Sequence, residues 1–232
     1  MLKNIKHIFF DLDKTLWDFE TNSTLTLIEL FEKHDLASYG IPSLAEMIDI
    51  YKKINQKLWA EYAKNSITKE TLRTERFKQT FEYFGVYNYD LAFRFGIDYV
   101  ELSPRKNVLY PNTFETLDYL NEKYELHIIT NGFEEVQYIK LQSSGILHYF
   151  KNIITSEKAG AKKPDKAIFD YALSVSNAST DNSIMVGDDL EVDIMGALNA
   201  NIPAVHFLPQ ANNKISDDFI TINSLSKLIE IL

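Results

Sequence analysis

The sequence predicts an α/β protein, a parallel sheet with helices on both faces, interrupted near its start by an all-helical insert. Three observations carry this. Short apolar runs that read as strands end in polar clusters at Ile8-Phe9-Phe10, Leu126-His127-Ile128-Ile129, Ile153-Ile154 and Ile184-Met185-Val186. Beyond Pro111 these runs alternate with stretches of helical spacing, as expected when parallel neighbours are joined by helical crossovers. Between the first run and Pro111, only helical spacing is present. The α/β core is therefore assigned to residues 1–17 and 106–232, and the helical insert to 18–105.

Taken in order, the first strand is followed by Asp11-Leu12-Asp13-Lys14-Thr15. Asn22 or Ser23 is expected to cap a helix running to about His34. Pro42-Ser43 opens a second, in which Leu44, Met47, Ile48, Tyr51, Ile54, Leu58 and Tyr62 keep a spacing of three or four. Thr68 starts a third, and a fourth spans about Tyr89 to Leu102, ending ahead of Pro104. Helices are then expected from Asn112 to Tyr124, near Glu134 to Ser143, after Pro164-Asp165, and from the Gly187-Asp188-Asp189 turn to about Ala200. The strand Ala204–Phe207 follows, and the stretch from Ile220 to Leu232 gives a short strand and a closing amphipathic helix.

Composition narrows the function. A net charge of -9 argues against nucleic-acid polymers and anionic membranes as partners, so an anionic substrate has to be drawn in by a local site. The absence of Cys excludes disulfides, a thiol nucleophile and thiolate metal sites. No apolar run approaches the roughly 20 residues of a membrane span, and no apolar signal region opens the sequence, so a cytoplasmic location is expected. Oligomeric state is not readable.

Ligands of open α/β sheets bind beyond the carboxyl ends of the strands, and the polar clusters stand at those ends. Asp11 and Asp13, two apart at a strand end, share a face and repel unless a cation or proton sits between them. Thr130 and Asn131 offer a hydroxyl, an amide and backbone N–H groups for a phosphoryl oxygen. Lys163 is held out of helical geometry by Pro164, near a helix start where an anion is favoured. Asp188 and Asp189 end another strand, with Asp193 a turn beyond. Several carboxylates, with no Cys and no fitting His cluster, suit a hard cation such as Mg²⁺. His7, His34, His127, His148 and His206 fall outside these clusters and read as structural or surface residues.

DLDKT, ITNG, the Lys163-Pro164 pair and GDDLEVD resemble the four ordered motifs of the haloacid dehalogenase superfamily of phosphohydrolases. The resemblance spans the whole chain, and the insert is similar to that family's C1-type helical cap. It implies a Rossmann-like core and an Mg²⁺-dependent phosphomonoester hydrolase working through an aspartyl-phosphate. Asp11 would be the nucleophile and Asp13 the general acid, then base. Thr130, Asn131 and Lys163 would bind phosphate. The metal would be held by Asp11, the backbone carbonyl of Asp13 and Asp188, with Asp189 and Asp193 close behind. Dehalogenase members lack the second aspartate, so Asp13 points to phosphoryl transfer.

Trp17-Asp18-Phe19, Asn55 with Leu58-Trp59 and Tyr62, and Thr130–Phe133 look similar to the pyrimidine 5′-nucleotidase branch. A nucleoside 5′-monophosphate is thus the leading substrate, with Trp17 and Trp59 as candidates to stack on a base. The alternatives are a phosphatase or phosphomutase for sugar phosphates or other small phosphometabolites, and a non-catalytic phosphate-binding module.

Overall fold

The computed structural model describes residues 4–210, 214–215 and 218–232. In chain order the core elements are β1 (His7–Phe10), then, beyond the insert, α5 (Thr113–Asn121), β2 (Glu125–Thr130), α6 (Glu134–Ser143), β3 (Phe150–Thr155), α7 (Ser156–Ala159) and α8 (Lys166–Val175). β4 (Ser183–Gly187), a π-helical turn (Leu190–Met195), α9 (Gly196–Asn199), β5 (Ala204–Phe207), β6 (Lys214–Ile215), β7 (Ile220–Ile222) and α10 (Lys227–Ile231) complete it. The insert supplies α1 (Phe19–Lys33), α2 (Leu44–Ala63), α3 (Lys69–Tyr83) and α4 (Tyr89–Leu102).

The seven strands form one sheet in the order β3-β2-β1-β4-β5-β7-β6. All neighbours are parallel except the edge pair β6–β7. β1 is central, with Phe10 opposite Ile128 of β2 on one side and Val186 of β4 on the other. Alternation along the strands feeds two apolar layers. Ile8, Phe10, Ile128, Ile184 and Val186 face one, covered by Leu117 and Leu120 of α5, Leu141 of α6 and Leu228 of α10. Phe9, Ile129 and Met185 face the other, with Ile168, Phe169 and Ala172 of α8 and Ala197 of α9. Both faces are buried, which is why these strands read as continuous apolar runs.

Two compact units emerge, Met1–Phe19 with Asn107–Leu232, and Glu20–Lys106. The second has its own core of Leu27, Leu30, Met47, Tyr51, Phe77, Phe81, Phe95 and Tyr99, contributed by all four of its helices. Ser43, Thr68 and Asn88 cap α2, α3 and α4 through their side chains. The start of α1 differs from expectation. It begins at Phe19, and Asn22 and Ser23 are buried within it instead of capping it. Ser23 Oγ lies 2.8 Å from Tyr99 Oη, so its polarity serves the insert's interior. Edge strand β6 was also not foreseen, since two residues carry no readable period. Among the described residues no helix is long and apolar enough to cross a membrane.

Candidate active site

The site grows from the end of β1. Asp11 N–H donates to Val186 O at 2.9 Å, extending the pairing with β4 one residue past the strand. The chain then folds back on itself. Lys14 takes a left-handed conformation (φ 67), and Leu12 O accepts from the N–H groups of Leu16 and Trp17 at 3.0 and 2.9 Å. Asp13 is therefore fixed on a tight return loop, while Leu12, Leu16 and Trp17 are buried beneath it.

Asp11, Asp188 and Asp193 each bring one carboxylate oxygen into a group whose members all lie within 4.8 Å of one another. Lys163 sits among them, its Nζ 2.6 Å from Asp11 Oδ1, 2.6 Å from Asp193 Oδ1 and 2.8 Å from Ile129 O. Three ammonium donors thus meet three acceptors, and Lys163 is 1% exposed. Burial raises the Asp11 carboxyl well above its usual range, and Asp193 and Asp188 push the same way, against the opposing pull of Lys163. Asp188 is pushed up to about 7, chiefly by burial and then by the charge of Asp193. Burial alone would lower Lys163, but Asp11 and Asp193 outweigh it and raise it.

Backbone space explains part of the motif. A Cβ on Gly187 would stand 2.4–2.5 Å from the Asp193 carboxylate, so only glycine lets that side chain close over the end of β4. Asp193 Oδ2 accepts from Asp189 N–H at 3.2 Å. Asp189 itself is exposed, and its Oδ1 accepts from Glu191 and Val192 N–H at 3.0 and 2.9 Å. Its side chain is the cap of the π-helical turn that presents Asp193. His206 Nε2 donates to Asp188 O at 2.8 Å, and Thr15 Oγ1 donates to Asp188 Oδ1 at 3.4 Å.

At the end of β2 two side chains already have partners. Asn131 Oδ1 accepts from Lys163 N–H at 2.8 Å, and its Nδ2 donates to Lys163 O at 2.9 Å. This side chain grips the Lys163 backbone, so the expected phosphate contact through the Asn131 amide is corrected to a clamp on the lysine. Thr130 Oγ1 is buried, accepts from Gly132 N–H at 3.0 Å and donates to Gln137 Oε1 at 3.4 Å.

Two residues that hold the Asp13 side chain escaped the sequence reading. Lys140 Nζ lies 2.5 Å from Asp13 Oδ1, and Gln137 Nε2 donates to Asp13 Oδ2 at 3.2 Å. Both are buried on α6. Their spacing of three is a helical neighbour pair, a signal available in the sequence but shared by any helix. Gly132 makes the approach feasible, because a Cβ there would stand 2.1 Å from Gln137 Nε2.

Trp17 is corrected as well. It is wholly buried in the core, with Lys140 Nζ 4.3 Å from its ring centroid, and in this arrangement it supports the loop instead of meeting a base. Trp59 is half-buried on α2, edge-on to Tyr62 at 5.6 Å between centroids. His7, Glu125 and His127 bring ligand atoms within 4.8 Å of one another.

The carboxylate group fits Mg²⁺. Its donors are all hard oxygens, and three carboxylates against the Lys163 ammonium leave two negative charges (three minus one) for a divalent cation to balance. The Asp13 side chain lies outside this group, paired with Lys140.

The magnesium-bound crystal structure of the HAD-hydrolase YfnB of Bacillus subtilis superposes with a TM-score of 0.88 at 29% identity, covering 99% of each chain. Pyrimidine 5′-nucleotidase YjjG of Escherichia coli is 33% identical over 196 residues, 84% of this chain and 82% of its own. The glyceraldehyde 3-phosphate phosphatase of Methanothermobacter thermautotrophicus is 30% identical over 239 residues, 98% of this chain and 100% of its own. Residues 5–201 match the family model for haloacid dehalogenase-like hydrolases, and the chain, an α/β enzyme with a helical insert after its first strand, belongs to that family.

Proposed function

We propose that the chain is an Mg²⁺-dependent phosphomonoester hydrolase that acts through an aspartyl-phosphate on Asp11, with nucleoside 5′-monophosphates as its leading substrates. The observation that carries this reading is the pairing of two differently held aspartates. Asp11 is buried among carboxylates and Lys163, while Asp13, two residues on, is held by Lys140 and Gln137. One is equipped to be a nucleophile and the other to move a proton.

Asp11, Asp188 and Asp193 supply the oxygens that would hold the metal, with the Asp13 carbonyl as the family resemblance implies. Bound there, Mg²⁺ supplies Lewis-acid stabilisation of the transferring phosphoryl group. An Asp11 oxygen attacks phosphorus, the ester P–O bond breaks, and Asp13 gives its proton to the departing alkoxide. Asp13 then takes a proton from water, whose oxygen attacks phosphorus. The Asp11–phosphorus link breaks, releasing inorganic phosphate. Lys163 has its three donors engaged before substrate arrives, so its contact with the phosphoryl group exchanges for the one with Asp11. Thr130 and the backbone N–H groups following β2 complete the anion site.

The nucleotide preference rests on the name and likeness of YjjG. The archaeal glyceraldehyde 3-phosphate phosphatase, matched over its whole length, supports the second reading, a sugar-phosphate substrate. The test is phosphate release from a panel of nucleoside monophosphates and sugar phosphates, with and without Mg²⁺. Mg²⁺-dependent release, fastest from nucleotides, is expected. Faster release from sugar phosphates would overturn the substrate class and leave the reaction standing. No release from any member would overturn both.

A further inference from the structure

At the opposite end of the strands from Asp11, strand period and register bring together a second group of side chains able to bind a metal. Glu125 and His127 are two apart on β2 and share a face. His7 is the first residue of β1 and stands directly opposite Glu125, with Phe9 opposite His127. His7 Nδ1 consequently lies 3.2 Å from His127 Nε2 and 3.6 Å from Glu125 Oε2. Asp11 is four residue steps along extended chain from His7, about 13 Å at the usual rise per residue.

We propose that His7, Glu125 and His127 form a second metal site, for a divalent cation of the zinc type. Two imidazoles and one carboxylate are the borderline donor set that selects such ions over Mg²⁺. Bonds of about 2.0–2.1 Å at tetrahedral angles put neighbouring ligand atoms roughly 3.3 Å apart, and the two separations above bracket that value. Two of the three ligands are also held from behind. Lys151 Nζ binds Glu125 Oε1 at 2.6 Å, leaving Oε2 toward His7. His127 Nδ1 is within reach of the Asn152 side-chain amide at 3.1 Å and Ser176 Oγ at 3.4 Å. Turning the Asn152 amide over lets both accept a proton on Nδ1, which frees Nε2 for the metal. A surface depression of about 390 Å³ bordered by Lys6, His7, Asn121, Lys123, Tyr124 and Glu125 reaches two of the three ligands, and His127 is buried behind them. The cation cross-links β1 to β2 and takes no part in phosphoryl chemistry.

The experiment is titration of the whole protein with Co²⁺ in excess Mg²⁺, which keeps the carboxylate cluster filled, followed by visible absorption, with Zn²⁺ as displacing ion. One equivalent of Co²⁺ with the strong bands of a four- or five-coordinate nitrogen site is expected, together with a rise in Tm on adding Zn²⁺. His7→Phe, which keeps a stacking ring, should abolish both. Glu125→Gln, at a partly exposed position tolerant of change, should weaken Co²⁺ binding at least tenfold and leave phosphate release unchanged. Should His7→Phe fail to fold, Glu125→Gln still decides. Absence of these bands in the wild-type protein, wild-type binding by a folded His7→Phe or by Glu125→Gln, or loss of the bands only in Asp188→Asn would each overturn the proposal.

Discussion

Lys140 touches the proposed proton-carrying residue and its support together, with Nζ 2.5 Å from Asp13 Oδ1 and 4.3 Å from the Trp17 ring centroid. The ammonium is buried, so it pins the carboxylate with little competition from water. Lys140→Met should lower kcat by about 10–100-fold, less than the roughly 10²–10⁴-fold expected for removing the proton carrier in Asp13→Asn. Steady-state kinetics on a simple aryl phosphate measures both. A Lys140→Met enzyme with wild-type kcat would show the pair to be incidental.

Asp11→Asn should abolish turnover and keep the fold, because an amide matches the carboxylate in shape and is a poor nucleophile. The variant also removes one charge from a crowded cluster, so its Tm should not fall. Turnover near wild type in the purified variant would sink the covalent route.

Trp17→Ala should destabilise the protein by about 3–5 kcal/mol, the usual range for emptying a large buried aromatic site. Its effect on KM should be alike for a nucleotide and a simple phosphoester. Denaturant unfolding and the two KM values provide the check. A KM loss confined to nucleotides would restore Trp17 as a base contact.

Gly187→Ala places a methyl where the Asp193 carboxylate now lies. The carboxylate must withdraw, loosening both the metal cluster and its grip on Lys163. The Mg²⁺ concentration for half-maximal activity should rise about 10–100-fold, as for other disturbances of a ligand's support. An unchanged Mg²⁺ titration would mean that Asp193 holds the lysine only.

Asp188 binds its proton more tightly in the folded state, at about 7 against an ordinary 3.8. The folded protein therefore holds extra proton between those values, and chelator-treated protein should lose stability from this group as pH rises from about 4 to about 7. The slope cannot exceed about 1.4 kcal/mol per pH unit for one proton. His7 and His127, both lowered chiefly by burial, contribute with the opposite sign, and the difference between wild type and Asp188→Asn removes them, leaving Asp188 together with its push on Asp11. Tm of both proteins across this range, without metal, is the measurement. Parallel curves would contradict the assignment.

The strand ends were legible because β1, β2 and β4 are buried on both faces and announce themselves as apolar runs broken by acid or amide. Asp11 and Asp188 stand at such ends, and Lys163 was read separately, from Pro164 beside a helix start. What was hidden depends on partners far away in sequence. Asn131 looks like a phosphate ligand until Lys163 arrives beside it. Lys140 looks like an exposed helical lysine until Asp13 and Trp17 enclose it. His7 and His127 meet only through a register that pairs residues more than a hundred positions apart. Periodicity reports which face a residue is on, and it is silent about what stands opposite.

The central position of β1 also dictates an order of assembly. Its two sheet neighbours are β2 and β4, and the residues it pairs with extend to Ile128 and Val186. During synthesis, the strand carrying Asp11 waits for more than a hundred residues before its first partner emerges, and for about sixty more before its second. The four helices encoded in the interval have a core of their own and make mainly local contacts, the kind that form fast. An apolar strand left unpaired that long is an aggregation hazard for the nascent chain. Circular permutants that move β1 to follow β7 should for this reason shorten the wait and raise the soluble yield.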